Sequence, residues 1–349
     1  MRRPWLVPLT PLYRLGLARR ERRLRSGAEP VRRLRWPVVS IGNLSTGGAG
    51  KTPLTIALAR LLTEKGFHVD VLSRGYGRDS SSPARVDPNG AAEAFGDEPL
   101  LIALDAGVPV YVAAARYDAG LLAEAEELKG TSFSPYKNQP ESERAFAPEL
   151  PRPTIHLLDD GFQHRQLARD VDILLLNRAD WHDSLLPAGN LREPLSAAKR
   201  ASVIAIPAGE PEMEADLRTW GWQGPVWRLH RRIEPPEVAG PVAAFCGIAR
   251  PEQFFAGLEA AGLRLVARAA FADHHRYTAA DLARLHREAR AAGAVALLTT
   301  EKDLVRLGNL RAAFPQDLPL KTARMRIEIE NADAAVDWLI SRVCTTPPL

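Results

Sequence analysis

One stretch of this chain constrains the rest more than any other. Residues 38–62 begin Val38-Val-Ser-Ile-Gly-Asn-Leu-Ser-Thr-Gly-Gly-Ala-Gly-Lys-Thr-Pro53 and continue as an apolar-periodic segment from Leu54 to Leu62. The pattern predicts a buried strand, a glycine loop and an amphipathic helix. In the loop Thr46-Gly47-Gly48-Ala49-Gly50-Lys51-Thr52, the three glycines let successive backbone N–H groups converge on phosphate oxygens, and the following helix adds its positive end. Lys51 is placed to reach the β- and γ-phosphates of a nucleotide, and the Thr52 hydroxyl to ligate Mg²⁺. The strict pattern has a glycine where Ser45 stands, so this is a variant P-loop.

Around it, short β-branched runs alternate with amphipathic segments, the signature of βα units on a parallel sheet. Strands are expected at Val38–Ile41, Val69–Leu72, Val108–Val112, Thr154–Leu158, Val171–Leu176 and Val203–Ile206. Residues 129–152 interrupt them with a polar, Pro- and Ser-rich stretch that reads as a surface insertion. A second set begins near Val242: strands Val242–Phe245, Leu263–Ala267 and Ala294–Leu298, with helices Glu252–Ala261 and Ala279–Ala291. It is flanked by Val226–Ile233 and Leu320–Ile329, which alternate apolar and charged residues at period two and are expected to pair as a two-stranded connector.

The 349 residues suit two α/β domains. The expected organisation is a basic head (1–35), a P-loop domain (36–225), a smaller α/β domain with its connector strands (226–331), and a C-terminal helix and tail (332–349). Asn331 is the expected N-cap of the helix Ala332–Val343, which returns to the first domain.

Charge is unevenly spread. Residues 1–35 hold eleven arginines against Glu21 and Glu29, whereas the rest of the chain is mildly acidic, which argues against nucleic acid as a partner. Within the head, Trp5 to Leu17 is apolar and the cluster Arg19–Arg25 follows. The apolar stretch is too short for a bilayer span of roughly 20 residues, and it lacks a small-residue cleavage site. Two readings stand side by side: an anchor lying on an anionic membrane surface, or a helix packed on its own domain with a solvated basic face. Two distant cysteines, Cys246 and Cys344, give no disulfide framework and point to a reducing compartment.

Other segments carry possible chemistry. Ile155-His-Leu-Leu-Asp-Asp-Gly-Phe-Gln-His164 reads as a strand ending in two carboxylates. One of Asp159 and Asp160 can hold the metal while the other orients Lys51. Asp97, in Gly96-Asp97-Glu98-Pro99, is either a helix N-cap or a base for a substrate hydroxyl. Phe271-Ala-Asp-His-His-Arg-Tyr277 places an acid beside His274 and His275, without a third residue at metal-ligand spacing. Arg192, beside Glu193, is a phosphate clamp or a surface ion pair, and Thr300-Glu-Lys-Asp303 is a second polar loop. Asn177-Arg-Ala-Asp180 mimics a guanine reader and raises a rival: a P-loop nucleotide switch of GTPase or metallochaperone type, acting through a partner.

Taken in order, these segments resemble the tetraacyldisaccharide 4′-kinase (lipid A 4′-kinase) family. The resemblance runs from the Pro-Leu-x-x-Leu-Tyr-Arg head through the P-loop, Ser73-Arg-Gly-Tyr-Gly77, Gly-Asp-Glu-Pro, Asp-Asp-Gly-Phe-Gln-His, Pro-Ala-Gly-x-Leu-Arg-Glu-Pro, Gly247-Ile-Ala and Phe-x-Asp-His to Thr-Glu-Lys-Asp. It implies a P-loop kinase at the cytoplasmic face of the inner membrane. That enzyme uses ATP and Mg²⁺ to phosphorylate the 4′-hydroxyl of a tetraacylated glucosamine disaccharide 1-phosphate. It further implies that Asp97 and His274 act together across a cleft, that Asp159 and Asp160 take the metal side, and that Tyr76, Gln163, Arg192 and Glu193 lie in substrate- or nucleotide-facing segments. His275 does not fall on the family's motif position. The 129–152 stretch is where the chain departs most from the family.

Overall fold

A computed structural model describes residues 3–132, 153–315 and 317–344. Most of the expected 129–152 insertion lies outside these residues. Its first four positions end the helix Arg116–Ser132.

The strands are β1 (Val38–Asn43), β2 (His68–Ser73), β3 (Ala84–Arg85), β4 (Val110–Val112), β5 (Thr154–Asp159), β6 (Val171–Leu175), β7 (Val203–Pro207), β8 (Val226–Glu234), β9 (Val242–Cys246), β10 (Leu265–Ala270), β11 (Ala296–Thr300) and β12 (Leu320–Ile329). They form one twelve-stranded sheet in the order β10-β9-β11-β12-β8-β7-β6-β1-β5-β2-β4-β3. β1, β5 and β6 are buried along their whole length, as central parallel strands covered on both faces must be. Pairing is parallel except at the β3–β4 edge and between β8 and β12, which run antiparallel from Arg324↔Glu234 to Ile329↔Leu229. The period-two alternation of those two segments follows from half-burial. Their pairing joins two parallel sheets edge to edge instead of leaving them as separate layers.

The glycine loop follows β1 at the centre, and the helix Lys51–Glu64 buries Leu54, Ile56, Leu58, Ala59 and Leu62 beneath it. The helix Ala332–Cys344 packs Ala335, Val336, Leu339 and Val343 into the same core, so the end of the chain closes on its first βα unit. Asn331 precedes it in the left-handed region (φ 56), where a short polar side chain is tolerated. One charged cluster is sealed inside: His156 of β5 lies 2.7 Å from Asp70 of β2 and 3.5 Å from Glu124. Burial opposes its charge, but the two carboxylates win and hold the imidazole up at about 9, which ties β5 to β2.

The head forms a short 3₁₀ turn, Pro4–Leu9, and the helix Thr10–Arg25, none of whose residues is fully buried. Tyr13 and Leu17 pack on the body. The Tyr13 hydroxyl donates to the Arg192 carbonyl at 2.8 Å, Arg20 donates to the Gln163 carbonyl, and Glu21 pairs with Arg165. The other face carries Trp5, Val7, Leu9, Leu12 and Leu15 into solvent, with Trp5 76% and Leu12 74% exposed. Among the described residues no helix is long and apolar enough to cross a membrane.

Candidate active site

Parallel pairing of β1 with β5 sets Ile41 opposite Asp159, so the glycine loop and the Asp159-Asp160 turn leave the sheet side by side. The two are pressed together at Gly42, where a Cβ would stand 2.5 Å from that of Phe162. Gly50, at φ 93, caps the helix carrying Lys51 and Thr52, and a Cβ there would meet Ile327 and Arg231. The irregular residue of the loop, Ser45, is buried and turned away from the cleft, accepting from Asn43 Nδ2 at 3.3 Å. A side chain is tolerated there because it points into the protein.

A cleft of about 710 Å³ opens over the loop, lined by Thr46 to Pro53, the Asp159-Asp160 turn and residues from both sheets. Lys51 Nζ donates to Asn43 Oδ1 at 3.1 Å and lies 3.5 Å from Asp160. Arg192 reaches the same carboxylate at 3.0 Å, with Gln163 Oε1 at 3.3 Å. Burial alone would raise Asp160, but Lys51 and Arg192 reverse this and keep it ionised. Asp159 differs. Burial, then Glu98 and Asp160, push it up to about 7, and the Thr55 hydroxyl donates to it at 3.1 Å. A buried acid crowded by two others is where a divalent cation relieves charge.

The donor set fits magnesium. Thr52 and Asp159 offer hard oxygens at the loop, and Asp160 sits one residue away. Among the described residues no three acidic, His or Cys side chains converge as a closed metal cage. Mg²⁺ does not require one, since it uses one or two carboxylates with phosphate and water oxygens.

At one end the cleft is strongly cationic. Arg20, Arg74, Arg116 and Arg192 line it, the first three acting on His164. Burial and the neighbouring arginines, Arg116 first, hold His164 down at about 3, so it is neutral at pH 7. Arg116 is itself lowered to about 10, mainly by burial, and stays charged. Sequence reasoning assigned Arg20 only to the basic head, Arg74 only to the Ser73–Gly77 segment and Arg116 no role, because arginines scattered over the chain converge only in the fold.

Across the cleft, His274 sits at φ 59 in the loop after β10, with its Nδ1 3.2 Å from Asp97 Oδ2 and its ring edge-on to Tyr76 at 6.0 Å. Asp97 is the first residue of the helix Asp97–Ala106, whose N-cap is Gly96, and its Oδ1 accepts the Glu98 N–H at 3.0 Å. It accepts from Arg306 Nε at 2.7 Å as well as from Arg306 Nη2. Burial would raise it, but His274 and Arg306 hold the carboxyl far below the usual range. The same contact, chiefly the hydrogen bond, raises His274. The Thr300–Asp303 segment is not a loop but the end of β11 and the start of the helix Glu301–Leu307, capped by Thr300, and its Lys302 pairs with Glu98. Arg306 and Lys302 are site residues that sequence reasoning missed. The one signal was the Thr-Glu-Lys-Asp segment, with Arg306 one helical turn beyond Asp303.

One expectation is displaced, and two readings that the sequence left open resolve. Glu193 is buried against Arg200 and does not line the cleft, because the Arg200 guanidinium stacks on Phe162 and draws the carboxylate inward. His275 turns away, stacking on Phe271 and lying 3.2 Å from Asp281, which closes the capping box of the helix Ala279–Ala291. Asn177 and Asp180 satisfy each other as the capping box of a single helical turn and lie outside the cleft, so the guanine-reader resemblance is a local capping pattern.

A glycine loop at the end of a central parallel strand, two carboxylates on the neighbouring strand and an acid–imidazole pair facing them define a P-loop phosphotransferase. Comparison narrows this further. The family model for tetraacyldisaccharide-1-P 4′-kinase matches residues 2–344. The tetraacyldisaccharide 4′-kinase of Koribacter versatilis is 42% identical over 95% of this chain and 97% of its own length. That of Methylobacterium nodulans is 39% identical over 95% and 89%. A crystal structure of LpxK from Aquifex aeolicus in complex with ATP superimposes with a TM-score of 0.71 at 30% identity, covering 97% of this chain and 98% of the other. The chain belongs to the tetraacyldisaccharide-1-P 4′-kinase family.

Proposed function

We propose that this chain binds Mg·ATP on the glycine loop and transfers the γ-phosphoryl group to the 4′-hydroxyl of a tetraacylated glucosamine disaccharide 1-phosphate. The observation that carries this is the opening of Lys51 and His274, from opposite sides, into one cleft. The loop from Thr46 to Thr52 cradles the phosphates, and Lys51 follows the charge that develops on the β- and γ-phosphates. Bound magnesium would neutralise phosphate oxygens, with Thr52 and Asp159 as its protein ligands and Asp160 fixing Lys51 and Arg192 around them.

The acceptor hydroxyl is a weak nucleophile, and its proton goes to the acid–imidazole pair. Asp97 is withdrawn from the cleft and taken up by donors on both oxygens, with the Glu98 N–H on Oδ1. His274 is 45% exposed and lines the cleft. Nδ1–H donating to Asp97 leaves Nε2 to accept the proton, while the carboxylate stabilises the imidazolium. Tyr76, Gln163, Arg192 and the arginines around His164 face the sugar and its anionic group. The exposed apolar face of the head enters the bilayer surface at the cytoplasmic side of the inner membrane, and the arginine cluster, apart from the cleft-lining Arg20, meets anionic headgroups at about 1 kcal/mol each. In this reading residues 36–225 form the kinase domain, and 226–331 carry His274 and Arg306 to it.

The deciding experiment incubates purified protein with labelled Mg·ATP and the disaccharide 1-phosphate in detergent or vesicles. Labelled 4′-phosphate product is expected. ATP turnover without phosphorylated acceptor would overturn the reading.

A further inference from the structure

The helix Asp97–Ala106 belongs to the first sheet by packing, yet its charged ends are gripped by the second half of the chain. Asp97 meets Arg306, Glu98 meets Lys302, and Asp105 meets Arg326 of β12 at 2.6 Å. The first grip is the most enclosed, with both side chains under a tenth exposed. Every nitrogen of the Arg306 guanidinium has a partner: Nε and Nη2 bind Asp97, while Nη1 donates to the Gly247 carbonyl at 2.6 Å and to Asp303 at 3.2 Å.

Asp303 is itself immobilised. It is fully buried, accepts twice from the Gly247 N–H, and takes the Tyr277 and Thr300 hydroxyls. Arg306 is therefore a rigid fork anchored in the second sheet and aimed across the cleft. Its Nη2 also stands 3.1 Å from Nδ1 of His274, so one guanidinium touches both members of the acid–imidazole pair.

We infer that Arg306 is the positioning residue of this kinase: it carries the Asp97 carboxylate to His274 across the cleft and limits how strongly that carboxylate acts on the imidazole. This rests on the phosphotransfer reading above. The groups facing the pair are Arg306, Lys302, Asp273 and the Tyr76 ring, with Glu98 next in the chain. Of these, Arg306 opposes the charge on His274 while sharing its counter-ion. An unshared Asp97 would hold the proton on His274 too firmly for a base working near neutral pH. Without the fork, moreover, the helix is still held at Glu98 by Lys302 and at Asp105 by Arg326, but the Asp97 carboxylate itself loses its anchor, and a misplacement of about 1 Å costs about 10²-fold in rate.

The test compares wild type, Arg306→Met and Arg306→Lys by the pH dependence of kcat, with the His274 ring proton followed through the same range by NMR. For Arg306→Met, kcat is expected to fall about 10²-fold. Its acidic limb and the His274 titration should both move up by about one pH unit, with KM for ATP unchanged. Arg306→Lys keeps the charge, so its limb should stay near wild type while kcat recovers only in part. If both titrations in Arg306→Met coincide with wild type, the inference is wrong, whatever the loss of rate. Should Arg306→Met not fold, wild-type kcat in Arg306→Lys overturns the need for a fork. If the wild type phosphorylates no acceptor, the functional reading fails, and the His274 titration still decides the role of Arg306.

Discussion

Asp97 and His274 lie 3.2 Å apart although one opens a helix on the first sheet and the other sits in a left-handed loop residue on the second. The contact spans a cleft with the glycine loop on its floor, and its electrostatics are reciprocal. The carboxyl is driven down and the imidazole up.

That reciprocity gives a pH dependence with a definite sign. His274 is raised, so it gives up its proton only above the ordinary imidazole value of about 6.5, and kcat should climb through an apparent pKa above that. Asp97→Asn removes the first cause of the raise. The limb should then move down in pH while kcat drops roughly 10²–10⁴-fold. In the folding equilibrium the two groups work oppositely. The Asp97 contribution is present above about pH 4 and is lost as pH falls toward its depressed value. The His274 contribution is present below about 6.5 and is lost as pH rises through its raised value. Melts of wild type and Asp97→Asn across pH check both signs.

The adjacent histidines should separate cleanly. His274→Ala should lower kcat by roughly 10²–10⁴-fold with ATP affinity intact. His275→Ala should leave kcat near wild type and cost about 1 kcal/mol of stability through the lost contact with Asp281 at the helix cap. Steady-state kinetics and chemical denaturation of both proteins distinguish them. Equal kinetic losses would contradict the placement.

Lys51→Ala should reduce transfer by roughly 10²–10³-fold with little loss of stability, because Arg192 remains on Asp160. The measurement is kcat together with the melting temperature. A folded variant with wild-type kcat would remove Lys51 from the reaction.

Chelation should abolish transfer, and added Mg²⁺ should restore it. Asp159→Asn should raise the Mg²⁺ concentration for half-maximal rate by about tenfold or more. It should also relieve the crowding of Glu98, Asp159 and Asp160, so thermal stability without metal should hold or increase. A metal titration of rate and a metal-free melt report the two effects.

Leu12→Glu with Leu15→Glu changes two exposed side chains of a helix with no buried residue. Folding and activity on a detergent-dispersed acceptor should persist, while partitioning onto phosphatidylglycerol vesicles should fall by at least about tenfold. Sedimentation with vesicles measures it, and unchanged partitioning would leave the head as a packing element alone.

The fold was legible where periodicity is strong. β1, β6 and β7 fall within a residue or two of the expected runs, since strands buried on both faces must be continuously apolar. The helix Ala279–Ala291 is reproduced at both ends, and its start is fixed by the capping box of Thr278 and Asp281. Short or irregular elements such as β3 and the turn at Arg178–Trp181 carry too few residues for a period to register. At the site, Lys51, Asp160 and Arg192 were singled out from local segments and Gln163 only through the family resemblance, and all four line the cleft. Glu193 was misplaced, since its partner Arg200 lies in a 3₁₀ turn seven residues on and no pattern announces that pairing.

The sequence by itself determined the phosphate-binding unit, because a strand, a glycine loop and a helix are local: φ freedom at Gly50 and the helix N-terminus need no distant partner. Only the tertiary structure decided what faces that unit. The antiparallel pairing of β8 with β12 joins the sheets, and that junction delivers His274 to Asp97 and Arg306 to both, while packing on the first sheet gathers Arg20, Arg74 and Arg116 around a neutral His164. Charges far apart in the chain carry no signature of their meeting, since their interaction depends on separation and burial in the folded state.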